Sequence, residues 1–398
     1  MSSQDRFLVS DLIAHSLLHV EDGNHGEYRP LRHEFVTHGT AFIRAADLGP
    51  YGIDFDRAEK INDTALRRIR KGIGAPQDVV LSHKGTVGKV AFAPRDAPPF
   101  VCSPQTTIWR SLDHSAISPR YLYYALQSVD FQRQLTAMQS STDMAPYVSL
   151  TQQRSLTLIL PPPSHQIAIA EVLGGVDDKI AANEHLAKTA LALASAIYLQ
   201  ALEPSSQEVP LHEVADILMG SSPPGETYNE VGLGLPFYQG VRDFGLRYPK
   251  PRVWCSSPVR VAHPNDSLVS VRAPVGNVNV ANDVCCIGRG VAAVRSTKGK
   301  PHTLYHALLA ARAAFVPYES EGTVFGAINK EQLRSIRVRW PRQDVDTIEM
   351  TLASLDSRAD AALKESDALA QVRDTLLPRL MSGEIRVREA EKVVEEVL

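Results

Sequence analysis

Apolar residues recur at alternating spacings of four and three in two long stretches of the chain. The first stretch carries them at Ile169, Leu173, Val176, Ile180, Ala187, Ala190, Ala194, Ile197 and Ala201, with Asn183 in the same series. The second carries them 179 residues later, at Ile348, Leu352, Leu355, Ala359, Ala362, Leu369, Leu376 and Leu380, with Ser366 and Arg373 in the series. This spacing predicts two long helices that pair as an antiparallel coiled coil, with Asn183 fixing the register.

Capping and helix-breaking residues indicate where the two predicted helices begin and end. Ser164 is the expected N-cap of the first helix. Asp346 followed by Glu349 resembles a capping box at the start of the second helix. Pro378 and then Gly383 are expected to end it.

The segments outside the helices also occur twice. Residues 152–161 and 332–341 share Gln, Arg, Ser and Pro at an offset of 180, and residues 78–88 resemble residues 266–276. Short strand-like runs lie among many glycines and prolines in both copies. The pattern is that of an internal repeat in which each copy mixes strands and helices.

The repeat predicts an α+β fold with two similar domains, residues 1–160 and 204–342, as a pseudo-twofold internal repeat. Two long antiparallel coiled-coil helices, in residues 161–203 and 343–398, separate the domains. The first helix would be about 58 Å long, which corresponds to about 17 base pairs of duplex DNA. Such a pair could set a fixed spacing between two contact sites on one duplex.

The formal net charge of −3 is unevenly distributed. Basic residues exceed acidic ones by one in residues 1–160 and by five in residues 204–342. Acidic residues exceed basic ones by three in residues 161–203 and by six in residues 343–398. Because local charge governs contact with a polyanion, the domains suit DNA and the acidic helices suit docking of protein partners.

The composition indicates the cellular compartment in which the protein is expected to work. No apolar run approaches the roughly 18 residues that span a bilayer, and the N-terminal residues lack the pattern of a secretory signal. The four cysteines include no Cys-x-x-Cys pair, which disfavours a zinc cluster and a disulfide framework. We expect a cytoplasmic protein with no membrane partner and no metal site.

Two related loops, residues 82–88 and 270–276, are the best candidates for contact with DNA. Each carries a hydroxyl and a cation beside turn-forming Gly or Pro residues, and such groups can reach phosphates or base edges. The candidates in and beside the loops are Ser82, His83, Lys84, Thr86, Lys89, Ser270, Arg272 and Asn277. Arg44, Gln239 and Arg242 follow strand-like runs and are second-rank candidates, because Arg and Gln can make paired hydrogen bonds to guanine and adenine.

Simpler interpretations of these features stay open. Glycine-rich turns commonly serve chain reversal, and the repeated loop could brace the fold or touch a partner. The cluster at residues 67–71 is either a solvated helix face or a track for a phosphate strand. The sequence contains no phosphate-binding Gly-x-x-x-x-Gly-Lys-[Ser/Thr] loop, no Gly-x-Gly-x-x-Gly loop and no Asn/Asp-Pro-Pro-Tyr/Phe tetrapeptide. It therefore predicts no catalytic residues and no cofactor in this chain.

The helical motifs resemble the conserved regions of type I restriction-modification specificity (S) subunits. Pro161-Pro162-Pro163, then Gln166-Ile167-Ala168-Ile169-Ala170 and Val176-Asp177-Asp178-Lys179-Ile180, resemble the family's central conserved region. Arg373-Asp374-Thr375-Leu376-Leu377-Pro378 followed by Ser382-Gly383-Glu384-Ile385 resembles the distal one. The chain departs from the family at His165, where an acidic residue is common.

The resemblance implies separate roles for the domains, for the helices and for the partner subunits. Each domain would be a target recognition domain that reads one half of a bipartite sequence in double-stranded DNA. The helices would space the domains and dock two modification (methyltransferase) subunits, which bind S-adenosylmethionine and methylate adenine. A restriction subunit can add ATP- and Mg-dependent translocation and cleavage. The chain itself would be non-catalytic and serve phage defence in the cytoplasm.

Two other classes compete with this interpretation. The chain could be the specificity partner of another phage-defence methyltransferase system, which only gene neighbourhood would distinguish. It could also be a coiled-coil scaffold whose domains bind protein or sugar. A stand-alone nuclease is disfavoured, because no clustered Asp…Glu-x-Lys arrangement is present.

Overall fold

The computed structural model describes residues 5–49, 52–139, 145–203, 205–319 and 326–396. The chain folds as two compact units, Met1–Asn183 with Glu365–Leu398, and Glu184–Lys364. Each unit contains strands, short helices and a part of both long helices. Within the described ranges, no helix is both long and apolar enough to cross a membrane.

The first half of the chain supplies the strands and helices of the first α+β domain. Its strands are β1 (Arg6–Leu8), β2 (Leu18–Asp22), β3 (Phe35–Val36), β4 (Thr40–Ile43), β5 (Leu48–Gly49), β6 (Gly52–Ile53), β7 (Glu59–Ile61), β8 (Ile73–Gly74), β9 (Val79–Lys84), β10 (Thr86–Phe92), β11 (Phe100–Cys102), β12 (Thr106–Ser111) and β13 (Thr157–Ile159). Its helices are α1 (Val9–Ala14), α2 (Asp63–Arg68), α3 (Pro119–Gln127), α4 (Val129–Ala137), α5 (Leu150–Arg154) and the long α6 (Pro163–Ala201).

The second half supplies a matching set. Its strands are β14 (Ser206–Pro210), β15 (Ala215–Met219), β16 (Tyr228–Asn229), β17 (Leu235–Tyr238), β18 (Trp254–Cys255), β19 (Val261–Ala262), β20 (Ser267–Ser270), β21 (Val278–Val280), β22 (Cys285–Ile287), β23 (Val291–Ser296) and β24 (Arg337–Pro341). Its helices are α7 (Pro301–Ala310), α8 (Arg312–Phe315), α9 (Lys330–Ser335), the long α10 (Val345–Ser382) and α11 (Val387–Glu395).

The strand order of the first unit recurs in the second. The four-stranded sheets run β10-β9-β12-β2 and β21-β20-β23-β15, and the five-stranded sheets run β3-β7-β4-β11-β8 and β16-β18-β17-β22-β19. Two-stranded sheets join β1 to β13 and β14 to β24. In each five-stranded sheet one central pair is parallel, β4 with β11 and β17 with β22. The predicted repeat of two α+β domains is confirmed.

Helices α6 and α10 pack against each other in the first unit. Val176 and Ile180 of α6 share an apolar cluster with Leu369 of α10, whereas Leu173 belongs to the domain core together with Leu376. Later residues of α6 thus contact earlier residues of α10, so the two helices are antiparallel as predicted. Of the predicted seam residues, Ile169, Leu173, Val176, Ile180, Asn183, Leu352, Leu369 and Leu376 are buried, and Leu355 is half-buried.

A polar contact and a run of alanines complete the seam. In the first unit, the amide Nδ2 of Asn183 donates a hydrogen bond to Oε2 of Glu365 at 2.9 Å. In the second unit, alanines of α6 and α10 form their own small cluster, made of Ala187, Ala190, Ala359 and Ala362. Small side chains let two helix axes approach closely. The helices lie inside the predicted segments 161–203 and 343–398, whose boundaries stay predictions.

The ends of the long helices differ from the sequence prediction. Pro378 lies inside α10, which continues to Ser382 and stops before Gly383, where φ is 74°. The prediction that Pro378 ends the helix is wrong, because buried Leu376 and Leu380 hold the last turn against the core at the cost of one missing backbone hydrogen bond. Helix α6 begins at Pro163, so Ser164 is a helical residue and not the N-cap.

The proposed capping box at the start of α10 is also wrong. The carboxylate of Glu349 accepts hydrogen bonds from the backbone N–H groups of His302 at 3.1 Å and Thr303 at 2.8 Å, and from the Thr303 hydroxyl at 2.7 Å. Glu349 therefore caps helix α7, whose first N–H groups have no partner within their own helix. Asp346 pairs with Lys300 instead.

A buried carboxylate joins α10 to the domain of the second unit. Oδ2 of Asp356 lies 3.0 Å from Nη2 of Arg247 and 2.6 Å from Nδ1 of His302, and Oδ1 lies 3.2 Å from Nε2 of His306. Burial raises the pKa of Asp356, but the hydrogen bonds from both histidines and the charge of Arg247 outweigh it and hold the pKa below its ordinary value. The Arg247 guanidinium also stacks 4.6 Å from the ring of Tyr305.

The first unit contains the corresponding carboxylate. Oδ2 of Asp177 accepts a hydrogen bond from the hydroxyl of Tyr124 at 2.6 Å, and Oδ1 accepts one from Arg373 at 3.0 Å. Asp177 precedes Asp356 by 179 residues, the offset of the two seams. Tyr124 in α3 corresponds to His306 in α7, because residues 119–126 read Pro-Arg-Tyr-Leu-Tyr-Tyr-Ala-Leu and residues 301–308 read Pro-His-Thr-Leu-Tyr-His-Ala-Leu. The attachment of helix to domain is therefore part of the repeat.

Asp356→Asn should destabilise the second unit by about 3 kcal/mol at pH 7, because the neutral amide removes the buried one of the two carboxylates that pair with Arg247 and leaves only Asp360. Denaturant unfolding followed by circular dichroism measures this loss. Since the folded state lowers the pKa of Asp356, the carboxylate stabilises the fold above its ordinary pKa of 3.8 and loses that effect as the pH falls below it. The difference between parent and variant should therefore shrink below about pH 4.

Asp367→Asn is the matched control, because Asp367 lies on the same helix and is exposed. It should change the unfolding free energy by less than about 0.5 kcal/mol. Equal stability of Asp356→Asn and the parent at pH 7 would contradict the anchoring role.

Candidate nucleic-acid interface

The first predicted loop is the tip of the β9–β10 hairpin. Lys84, Thr86 and Lys89 are exposed there, and Gly85 makes the turn at a φ of 80°. Ser82 is fully buried, and its hydroxyl accepts a hydrogen bond from the backbone N–H of Lys89 at 2.9 Å. The ammonium of Lys89 donates to the carbonyl of Ala45 at 3.2 Å. The hairpin thus presents Lys84 and Thr86 to solvent, while the predicted serine holds its two strands together.

The predicted His83 lies beneath the same hairpin. Its side chain is 3% exposed, and Nδ1 lies 2.9 Å from the carbonyl of Val148, to which it donates a hydrogen bond. Nε2 lies 4.0 Å from Oδ1 of Asp22, so no direct hydrogen bond joins them. Backbone hydrogen bonds from Gly85 and to His83 tie the hairpin to residues 146–148. The Lys84 ammonium lies 6.0 Å from the Tyr147 ring. His83 is therefore part of the hairpin's support.

The second loop repeats this construction after β20. Arg272 is exposed, whereas Ser270 is fully buried. The Ser270 hydroxyl donates to the carbonyl of Pro274 at 2.7 Å and accepts from the backbone N–H of Asn277 at 2.9 Å. Asn277 is half-buried, and its amide donates to the same Pro274 carbonyl at 3.1 Å. Residues 326–328 hydrogen-bond to this loop as residues 146–148 do to the first.

Arg44 and Gln239 occupy equivalent positions at the ends of β4 and β17. The backbone N–H of Arg44 donates to Asp47 at 2.8 Å, and that of Gln239 donates to Asp243 at 2.8 Å. The Arg44 side chain pairs with Glu59, which reduces its availability to DNA. Gln239 is exposed.

The second unit brings several candidates together in one cavity. Arg242, Gln239 and Arg272 line a space of about 550 Å³, with Arg252 and Arg289 as further cationic neighbours. The cavity therefore gathers four arginines from three separate chain segments. Among the described residues its lining includes one carboxylate, that of Asp243, which is 4% exposed. Such a concave basic surface suits nucleic acid.

Sequence patterns missed two of these arginines. Arg252 comes just before β18 and donates from Nε to Oδ1 of Asp243 at 3.0 Å. Arg289 follows β22 and donates from Nε to the hydroxyl of Ser222 at 2.8 Å. Neither lies in the repeated loops, so only the sheet topology reveals them. For Arg289, the usable signal was that polar residues directly after two parallel strands meet at one sheet edge.

Within the described residues, no group of three or more histidine, cysteine, aspartate or glutamate side chains is arranged to hold a metal ion. The four cysteines are buried and unpaired.

Comparison with known proteins identifies relatives along most of the chain. Residues 34–191 match the family described as "Type I restriction modification DNA specificity domain". A protein of Methanocaldococcus jannaschii, named "Putative type I restriction enzyme MjaX specificity subunit", is 28% identical over 375 residues, which cover 88% of each chain. The chain is thus similar to type I restriction-modification specificity subunits, and the resemblance drawn from its helical motifs is confirmed.

Two solved structures complete the comparison. The S subunit of a type I restriction-modification system from M. genitalium is 17% identical, covers 96% of this chain and 97% of its own, and superposes with a TM-score of 0.57. This likeness supports the fold described above. The HsdS subunit from Thermoanaerobacter tengcongensis is 26% identical, with coverage of 97% and 98% and a TM-score of 0.37.

Ser82→Ala and Ser270→Ala should each destabilise their own unit by about 1 kcal/mol, because each removes the acceptor of a backbone N–H inside a hairpin. Thermal unfolding of the purified chain measures the loss. Lys84→Ala is the control for an exposed position in the same hairpin and should change stability by less than about 0.5 kcal/mol. If both serine variants unfold like the parent, the hydroxyls do not support the hairpins.

Proposed function

We propose that this chain is the sequence-specific DNA-binding subunit of a type I restriction-modification complex. Each α+β domain reads one half of a bipartite target in double-stranded DNA. The observation that carries the proposal is the repeated hairpin, in which an exposed cation, Lys84 or Arg272, stands two residues after a buried serine that holds the hairpin together. A cation held on a stiff hairpin can contact phosphate or a base edge in a defined register.

The distribution of charge supports the same assignment. Residues 204–342 carry an excess of five basic residues, and four arginines gather in a single cavity there. Residues 343–398 carry an excess of six acidic residues. DNA attracts the former and repels the latter, so the outer faces of the helices are left for protein partners.

The partners would supply the chemistry. Two modification subunits would dock on the helical pair and methylate adenine with S-adenosylmethionine, and a restriction subunit would add ATP- and Mg-dependent cleavage. This chain would contribute sequence choice alone and work with them in the cytoplasm. An enzyme that modifies a base must extrude it from the duplex, and this chain would position the partners at the correct base.

Replacing Lys84 or Arg272 by Ala should weaken binding of the assembled complex, each at a different half of the target. Loss of one phosphate contact reduces the number of ions released on binding by about one, and it reduces the slope of log affinity against log salt concentration by about one. Gel shifts of the complex on a target duplex, at fixed salt and across a salt series, measure both effects. Scrambling one half of the target at a time shows which half each variant still distinguishes.

Arg337→Ala is the control, because this exposed arginine pairs with Glu208 outside both hairpins. Unchanged affinity in both hairpin variants would remove the hairpins from the DNA surface. A parent complex that binds all duplexes equally would overturn the proposal itself and favour a scaffold without DNA specificity.

The second test lengthens the helical pair. Seven residues that continue the apolar series, inserted between Asn183 and Glu184 and again between Lys364 and Glu365, keep the contacts within each unit. They add about 10 Å to each helix, which corresponds to about 3 base pairs. The spacer between the two target halves should lengthen accordingly, as mapped by methylation-sensitive sequencing. Insertion in α6 alone is the control and should abolish assembly, because the two seams no longer match.

A further inference from the structure

We propose that the arginine cavity of the second unit reads a G·C base pair, with Arg289 as the residue that contacts guanine. This inference rests on the proposed function, since it specifies what one domain would recognise. The cavity is lined by four groups of residues: Ser222 after β15, those between β17 and β18, those of the loop that contains Arg272, and those that follow β22. Arg289 belongs to the last group.

The anchoring of Arg289 suits recognition of guanine. Its Nε donates to the hydroxyl of Ser222 at 2.8 Å, which leaves both terminal nitrogens without a partner among the described residues. The side chain is exposed and lines the cavity. A guanidinium held through Nε presents its two terminal nitrogens as a fork, and this fork matches O6 and N7 of guanine in the major groove.

The backbone beneath Arg289 is rigid. Gly288 donates to the carbonyl of Tyr238 at 2.8 Å, and Val291 donates back to Gly288 at 3.0 Å, which closes a tight turn at the end of β22. A Cβ on Gly290 would lie 2.1 Å from the carbonyl oxygen of Gln239, so the turn packs directly on the end of β17. Because β17 and β22 are parallel neighbours, Gln239 and Arg289 emerge side by side at the same edge.

The cavity also contains an acceptor that suits the partner base of guanine. Oδ2 of Asp243 accepts the backbone N–H of Gln239 at 2.8 Å, and Oδ1 accepts from Arg252 at 3.0 Å. Both oxygens of this buried carboxylate are thus occupied, whereas the side-chain oxygen of the exposed Gln239 can accept an N4 amino hydrogen of cytosine. The cavity therefore offers a donor for guanine beside an acceptor for its partner base.

The first unit cannot repeat this contact. Ser103 donates to the carbonyl of Ile43 at 2.8 Å and Thr106 donates to Ser103 at 3.1 Å, which is the hydrogen-bond pattern of the turn around Arg289. The residue at the equivalent position is Pro104, which carries no donor. The G·C requirement should therefore belong to the half of the target that the second unit reads.

The test uses the chain assembled with its modification subunits and the duplex target found by methylation-sensitive sequencing. Each guanine of the target is replaced in turn by 7-deazaguanine, which lacks the N7 acceptor. At one position in one half, the parent complex should lose roughly 10- to 100-fold in affinity. The Arg289→Ala complex should bind the natural target with a similarly reduced affinity. The 7-deazaguanine substitution should reduce the affinity of this variant no further.

Three further variants distinguish a base contact from an effect of charge or of folding. Arg289→Lys keeps the charge but loses the planar fork, so it should bind the natural target more weakly than the parent while it retains the parent's salt dependence. Ser222→Ala should reduce discrimination at the same position, and Ser222→Thr, which keeps the hydroxyl, should restore it. Melting temperatures of the four variants confirm that they are folded.

The outcomes are distinguishable. If the parent binds selectively and Arg289→Lys binds like the parent while Arg289→Ala binds all sequences more weakly, Arg289 contacts phosphate and the inference is wrong. If no 7-deazaguanine position responds to Arg289, it is wrong as well. A parent complex with no sequence selectivity overturns the proposed function instead.

Discussion

Two aspartates of the long helices, the half-buried Asp177 and the fully buried Asp356, are the constraint on which the rest of the structure depends. Asp177 and Asp356 each bring a negative charge out of water, and such a charge is tolerated only where hydrogen bonds and counter-charges surround it. Arg373 and Tyr124 supply them in one unit, and Arg247 with two histidines supplies them in the other. Because the partners come from the domain as well as from a helix, each domain is fixed in orientation on its own part of the helical pair.

The residues that bind the two aspartates differ between the units, although both sets hold a carboxylate in place. Tyr124 donates one hydrogen bond to its carboxylate, and the corresponding His306 does the same through an imidazole. The cation comes from α10 in the first unit and from the loop that contains Arg247 in the second. Both units keep a carboxylate on a long helix that accepts a hydrogen bond from one position of a domain helix. The geometry is thus preserved while the chemistry of the donors varies.

Sequence patterns predicted the parts of this protein that depend on periodicity. The seams, the antiparallel pairing and the domain repeat follow from spacings that a straight helix or a repeated strand imposes on the chain. Contacts between distant segments were less accessible. Glu349 looked like a local cap because of its distance from Asp346 in sequence, yet its carboxylate binds the start of α7. Arg289 carried no motif, and only the parallel pairing of β17 with β22 brings it beside Gln239.

The candidate site likewise contains residues that support the hairpins and residues that project from them. In both hairpins, the serine of the repeated motif is buried and satisfies a backbone N–H, whereas the cation two residues later is exposed. A motif can thus recur because it builds a hairpin, while the residues that project from the hairpin are free to differ. Lys84 and Arg272 are such a pair, as are Pro104 and Arg289. The proposed recognition of two unlike half-sites by two like domains would require this arrangement, since a shared fold would have to carry side chains that do not share their chemistry.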